Sequence, residues 1–419
     1  MSSPAPAPLP GWTARRRNSA HSALVPPPSA AGRRSPLAPS GGQTKMKIAR
    51  VQARSLKPRV PIRAPGIDRV ATRQLIYVEV ETEGGPIGYG ISGLAPGDGV
   101  VPAINDVCAP LIRGMDARNI SAVWNVLYRE LGHRGQTGLA MHAISGIDIA
   151  LWDIRGKALG EPVWRLLGGA RERVRCYVTF GLPSFDIDEL VAVAKHWVGQ
   201  GFGGLKMVVG VIALNRADEF PNPTEALRED ARRLRAVRDA VGDGVEIACD
   251  INCELDASAA LALARMLAPY DPVFIEEPVP DNDARAMADF RARAGVQVAT
   301  GQSLGGLYRF ADILAHRAAD ILQPNVVNCG GFTGGLRAAD MALGFNVPVC
   351  NGGGATAHNL HLQAGVINGT ACEWHPYMSM GATEAVFDGC PQPSDGWLPA
   401  PDAPGLGLVP NEAALKEFG

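Results

Sequence analysis

From Val174 onward, short apolar runs alternate with helix-like stretches. Eight strand signals read at 174–180, 204–208, 245–250, 272–277, 296–301, 320–324, 346–350 and 370–374, mostly 22 to 28 residues apart. Between them lie amphipathic segments near 187–199 and 224–241. In the second, Leu227, Ala231, Leu234, Val237 and Val241 recur at helical spacing. Strands that alternate with helices this regularly form a parallel sheet covered on its outside. Eight such units in about 200 residues predict an α/β fold of the TIM (β/α) barrel type. A doubly wound sheet is the second choice.

The rest of the chain is organised around that barrel, taken as residues 171–376. Two strands are read after Met46. The first is Met46–Val51. The second, from Gln74 to Thr82, alternates Ile76, Val78 and Val80 with Tyr77, Glu79 and Glu81, then turns at Gly84-Gly85. A helical stretch over about 99–160 follows. Strands first and helices after predict an α+β domain over 46–170. The segment between the two strands, Arg59 to Arg69, is read as a loop covering the barrel mouth. Residues 377–419 are rich in Pro and Gly and are expected to return to the first domain. Residues 1–45 contain no Asp or Glu, are rich in Pro, Ala and Ser, and carry Arg15-Arg16-Arg17 and Arg33-Arg34. They are expected to be disordered. They read as an over-long start, or alternatively as an Arg- and Ser-rich transit peptide.

A net charge of −2 excludes a broad electrostatic partner such as nucleic acid or an acidic membrane surface. No apolar run approaches the roughly 18 to 20 residues of a membrane span. The eight cysteines form no C-x-x-C pair, and several lie in apolar runs. Buried free thiols and a reducing, cytoplasmic location are therefore expected.

In a barrel, reactive side chains stand at the C-terminal ends of strands. The third strand ends in Cys249-Asp250-Ile251-Asn252, the fourth in Glu276-Glu277-Pro278 and the fifth in Thr300-Gly301-Gln302. Asp250 to Glu276 and Glu276 to Gln302 are both 26 residues. Equal spacing sets Asp250, Glu276 and Gln302 at one height on adjacent strands. Two carboxylates and a neutral oxygen suit a hard divalent cation such as Mg²⁺. The competing view is that strand-end acids cap the helices that follow. Lys206, ending the second strand, is a candidate to neutralise a substrate carboxylate or to act as a base; otherwise it snorkels to the surface. Glu373 ends the eighth strand. His358 and His361 follow the glycine run Gly352-Gly353-Gly354, and either a catalytic or a structural histidine fits there.

These residues resemble a known family. Ala143-Ile144-Ser145-Gly146-Ile147-Asp148-Ile149-Ala150-Leu151-Trp152-Asp153, Leu166-Leu167-Gly168-Gly169, the Asp-x-Asn of strand three, Ile275-Glu276-Glu277-Pro278, and Gln323-Pro324 with Gly330-Gly331 are together similar to mandelate racemase-like proteins of the enolase superfamily. The resemblance spans about 46–415. It implies a modified TIM barrel under an α+β capping domain, one Mg²⁺, and removal of the proton α to a carboxylate through an enediolate. It also implies a homo-oligomer. Asp250 and Glu276 match the first two metal ligands, and Gln302 replaces the usual third Glu. Lys206 matches the first Lys of Lys-x-Lys, whose second position is Val208. Asn325 stands where an Asp usually supports a strand-seven His. Gapless counting puts that His in the glycine run, so His358 serves only if the loop is shifted.

The expectation is a lyase that dehydrates a sugar acid or other hydroxy acid. Lys206, His358 and Glu373 are its catalytic candidates, and Asn252, Asn325, Arg63 and His133 its substrate-binding candidates. Cycloisomerisation, racemisation and epimerisation are the enzymatic alternatives. A non-catalytic carboxylate-binding protein on the same scaffold is the alternative of another class.

Overall fold

The structure, a computed structural model, describes residues 46–93, 97–132, 138–210 and 217–419. Three strands, β1 (Ile48–Leu56), β4 (Leu75–Thr82) and β5 (Gly88–Ser92), form an antiparallel sheet in the order β1-β4-β5. Between β1 and β4, the segment expected as a loop is a separate hairpin of β2 (Arg59–Ala64) and β3 (Ile67–Thr72). Val60, Ile62 and Ile67 bury their side chains, and Gly66 turns the chain at φ +77°. Alternation within so short a stretch, broken by Pro61 and Pro65, carries little signal in sequence. The helix Leu139–Leu159 packs on β4 and β5. It approaches so closely that a Cβ at Gly90 would lie 2.3 Å from the Gly146 carbonyl oxygen.

The barrel strands are β6 (Arg173–Gly181), β7 (Gly204–Val208), β8 (Glu246–Asp250), β9 (Ile275–Glu276), β10 (Val298–Thr300), β11 (Ile321–Leu322) and β12 (Ala371–Trp374). Sequential neighbours from β6 to β11 pair in parallel, and β12 pairs in parallel with β6. The strand expected at 346–350 is reduced to isolated bridges from Val349 to Leu322 and to Gly369. Those bridges close the ring. Asn346 turns at φ +59°, and after Cys350 the chain enters the glycine run, so little extended backbone is left to pair. Helices Ile187–Gly199 and Pro223–Val241 cover the outside, the first opened by a capping box between Asp186 and Glu189.

The C-terminal residues run along both parts. β14 (Trp397–Pro399; β13, Phe387–Asp388, precedes it) pairs antiparallel with the start of β6, while the Leu406 N–H donates to Asp153 of the long helix. All eight cysteines are free. Among the described residues, no helix is long and apolar enough to cross a membrane.

Candidate active site

Inside a parallel barrel, alternate residues of each strand face inward. In β7 that parity selects Lys206, in β8 Asp250, in β9 Glu276 and in β12 Glu373. All four are buried. The register pairs Asp250 with Glu276 and aligns Lys206 with Thr179 of β6. The four side chains meet at one point. Lys206 Nζ lies 2.9 Å from Asp250 Oδ2, 2.9 Å from Glu276 Oε1 and 3.0 Å from Glu373 Oε1. Lys206 is therefore not a surface lysine, and these strand-end acids do not cap helices.

Each acid is held by further donors. The Asn252 N–H donates to Asp250 Oδ1 at 2.9 Å, from a turn in which Asn252 and Cys253 both have positive φ. Gln323 Nε2 donates to Glu276 Oε2 at 3.0 Å. Thr179 Oγ1 and the Gly354 N–H donate to the two oxygens of Glu373. Burial alone would lower the Lys206 ammonium, but Asp250, Glu276 and Glu373 outweigh it and hold the group well above an ordinary lysine. Burial, then repulsion from Asp250, pushes Glu276 well above the usual carboxylate range. Burial would also raise Glu373. Lys206, His375 and the Thr179 and Gly354 hydrogen bonds reverse that and bring it to about 2.

Gln302 follows Gly301, whose φ is +122°, and turns into the same region. Its Nε2 donates to Glu277 Oε2 at 2.6 Å, while its Oε1 is buried without a partner. Asp250, Glu276 and Glu373 meet the Lys206 ammonium, and Glu277 lies beside Gln302. Crowding and burial hold Glu276 and Glu277 above the ordinary carboxylate range, and a divalent cation would favour their ionised forms. A buried oxygen with no donor is what a hard cation takes as a ligand. The residues present therefore fit Mg²⁺, with Asp250, Glu276 and Gln302 as the donors that could hold it. Among the described residues no group of three His, Cys, Asp or Glu side chains forms a metal cluster.

Several candidates lie elsewhere. His358 is in the helix Thr356–Gly365, fully buried, with its ring edge-on to Phe387 and neither nitrogen hydrogen-bonded. Burial, then His361, lowers it to about 3. The helix begins at Thr356, directly after the glycine run, and turns the His358 ring toward Phe387. His361 is structural, accepting from the Trp164 N–H and meeting the Leu406 carbonyl. Asn325 is fully buried; its Nδ2 donates to the Gly352 and Gly353 carbonyls and its Oδ1 accepts from Asn359, so it clamps the glycine loop. Asn252 is half-buried beside Asp250. Arg63 belongs to β2, but its side chain is outside the described part of the structure, and His133 lies outside the described residues.

Sequence reasoning missed Glu277, Gln323, Thr179, Asn351 and His375. His375 is two residues beyond Glu373, on the same strand parity, and that alternation was the available signal. Its Nδ1 is buried without a partner, and its Cβ is 3.7 Å from where a side chain on Gly354 would begin. Burial lowers it to about 4, against the pull of Glu373.

Comparison with known proteins identifies the family of the chain. The family model described as mandelate racemase / muconate lactonizing enzyme, N-terminal domain, matches residues 48–168, and that described as enolase C-terminal domain-like matches 189–414. The arabinonate dehydratase of Saccharolobus solfataricus is 31% identical over 82% of this chain and 90% of its own. The D-galactarolactone cycloisomerase of Agrobacterium fabrum is 31% identical over 89% and 99%. The structure of L-talarate dehydratase from Polaromonas sp. JS666 complexed with Mg and L-glucarate superposes with a TM-score of 0.76. It is 28% identical and covers 89% of this chain and 97% of that one.

Proposed function

The chain belongs to the mandelate racemase / muconate lactonizing enzyme family of the enolase superfamily, and on that premise we propose that it is a Mg²⁺-dependent lyase that dehydrates a sugar acid. The observation that carries the reading is the buried convergence of Lys206 with Asp250, Glu276 and Glu373 at the ends of four barrel strands. Asp250, Glu276 and Gln302 would hold the Mg²⁺, which when bound supplies charge stabilisation to the substrate carboxylate as its α-proton is lost. Lys206 sets a preorganised cation beside the same developing charge. As an ammonium, its Nζ can also give a proton to the departing hydroxyl. His375, neutral and with Nδ1 unpartnered, is the candidate to accept the α-proton. Glu373, kept ionised by Thr179 and Gly354, positions Lys206.

Racemisation needs acid–base groups on both faces of the α-carbon. Val208 has no proton to move, and the strand-seven position is glycine, so elimination is favoured. Cycloisomerisation of a lactone or anhydro-sugar acid is the second reading, supported by the similarity to a galactarolactone cycloisomerase. A cytoplasmic location and a homo-oligomer belong to the same proposal. Eight free thiols support the first, and sedimentation tests the second.

The test is a panel of sugar acids, including arabinonate and galactonate, incubated with the protein and Mg²⁺ in D₂O. Exchange of the α-hydrogen, or formation of a keto-deoxy acid, is expected for at least one member. Binding of a sugar acid without exchange or turnover would establish the alternative, a non-catalytic carboxylate-binding protein.

A further inference from the structure

The barrel has a cavity at the end where its strands begin. TIM barrels ordinarily fill their interior with layers of bulky branched side chains. Here the positions facing inward near the strand starts are Gly204 in β7, Ala248 in β8 and Ala371 in β12, and they leave a cavity of about 410 Å³. That volume lies within the range of small-molecule sites, roughly 300–1,000 Å³. Its floor is aromatic: Tyr177 and Phe274 pack edge to face at 6.2 Å, apart from the main core. Its wall is the chain before β14, where the Cys176 N–H donates to the Gly396 carbonyl at 2.8 Å. Trp397 stands at the rim under the Arg173 guanidinium, 4.5 Å from its ring centroid. Arg175 and Glu246 face solvent at the opening, their charged ends 3.7 Å apart.

The floor is one side chain thick. Tyr177 is part of it, and the Tyr177 hydroxyl donates through it to the Asn351 carbonyl. Asn351 Nδ2 in turn holds the Gly352 and Gly354 carbonyls at 2.9 and 3.0 Å, and its Oδ1 accepts from the Glu373 N–H. A molecule resting on the Tyr177 ring therefore bears on the loop that carries the Gly354 donor to Glu373.

We propose that this cavity is a regulatory site for a compact, uncharged aromatic molecule of one or two rings. Occupancy is transmitted to the catalytic end through Tyr177 and Asn351. The class follows from the lining. Small apolar walls and an aromatic floor favour a flat ring. The Tyr177 hydroxyl is already engaged, and the charges sit outside at the rim, so no buried charge would be paired.

Indole is the probe, followed by titration calorimetry and amide hydrogen exchange. One saturable site is expected, with exchange slowed in 174–177, 246–248 and 395–397 and also in 350–355. Ala248→Leu and Ala371→Leu fill the cavity and should each weaken indole binding by about tenfold or more. Tyr177→Phe should keep indole bound while the slowing at 350–355 disappears. No saturable binding to the wild-type chain overturns the site. So does protection that maps elsewhere, a result that needs no variant to fold. Protection at the cavity without any change at 350–355 overturns the regulatory role.

Discussion

Gln302 offers one buried oxygen without a donor and one amide nitrogen bonded to Glu277, and the two ends make opposite demands on a substitution. Gln302→Glu supplies a third carboxylate for Mg²⁺ but sets it against Glu277 when no metal is bound. The metal-free variant should lose stability on the order of 2–4 kcal/mol, since breaking a buried pair leaves an uncompensated charge. It should also bind Mg²⁺ at least about tenfold more tightly. Melting with and without Mg²⁺ measures the first, and calorimetry the second. Unchanged affinity would remove Gln302 from the ligand set. Glu276→Ala should abolish stoichiometric Mg²⁺ binding, and retained binding would move the metal elsewhere. At this scale Lys206, Asp250, Glu276 and Glu373 were legible because strand ends and parity are written in the sequence. Glu277 was not. An immediate neighbour of Glu276 should face away, but its φ of +44° swings it back beside Gln302. Positive φ at a glutamate follows from the packed turn around it, and no local pattern announces it.

The glycine run illustrates how an element can lose its side chain and keep its place. Asn325, Asn351 and Asn359 together bind the carbonyls of Gly352, Gly353 and Gly354. Restoring the family acid by Asn325→Asp removes the two hydrogen bonds that Asn325 gives this loop and points a carboxylate at its carbonyls. A loss of about 1–3 kcal/mol is expected, the cost of leaving buried groups unsatisfied, and urea unfolding reads it. Adding His at 353 should not rebuild a catalytic pair. A Cβ there meets Asn325 Nδ2 at 2.8 Å, and the backbone φ is +71°. A folded and more active Gly353→His variant would contradict this account. Elements with strong periodicity were read well: the helices at 187–199 and 224–241 differ from expectation by at most one residue. The 59–72 hairpin and the reduced seventh strand were not, because both depend on pairing partners distant in sequence.

Across the whole molecule, buried titratable groups set opposing responses to acid. Burial lowers His358 to about 3 and His361 to about 4, so both stay neutral in the folded chain while the unfolded chain protonates them near 6.5. Between about pH 4 and 6.5 the unfolded state then binds more protons at these sites, and their contribution to stability rises with pH. Burial also raises Asp148 and Asp230 to about 7. In the folded chain they keep protons that the unfolded chain has released, so over the same window their contribution falls as pH rises. Within that window the balance between these two pairs is close. Removing one histidine unbalances it. Because neither nitrogen of His358 has a partner, His358→Leu deletes two unsatisfied buried groups and leaves an apolar side chain against Phe387. Near pH 7 the substitution should cost little or stabilise. Below pH 6.5 its advantage over the wild-type chain should grow by about 1.4 kcal/mol per pH unit, down to about pH 4. Urea unfolding of both proteins at pH 7, 6, 5 and 4.5 measures that difference. A gap that stays constant with pH would mean that His358 is protonated in the folded chain, and that its surroundings are far more polar than Phe387 and the buried helix allow.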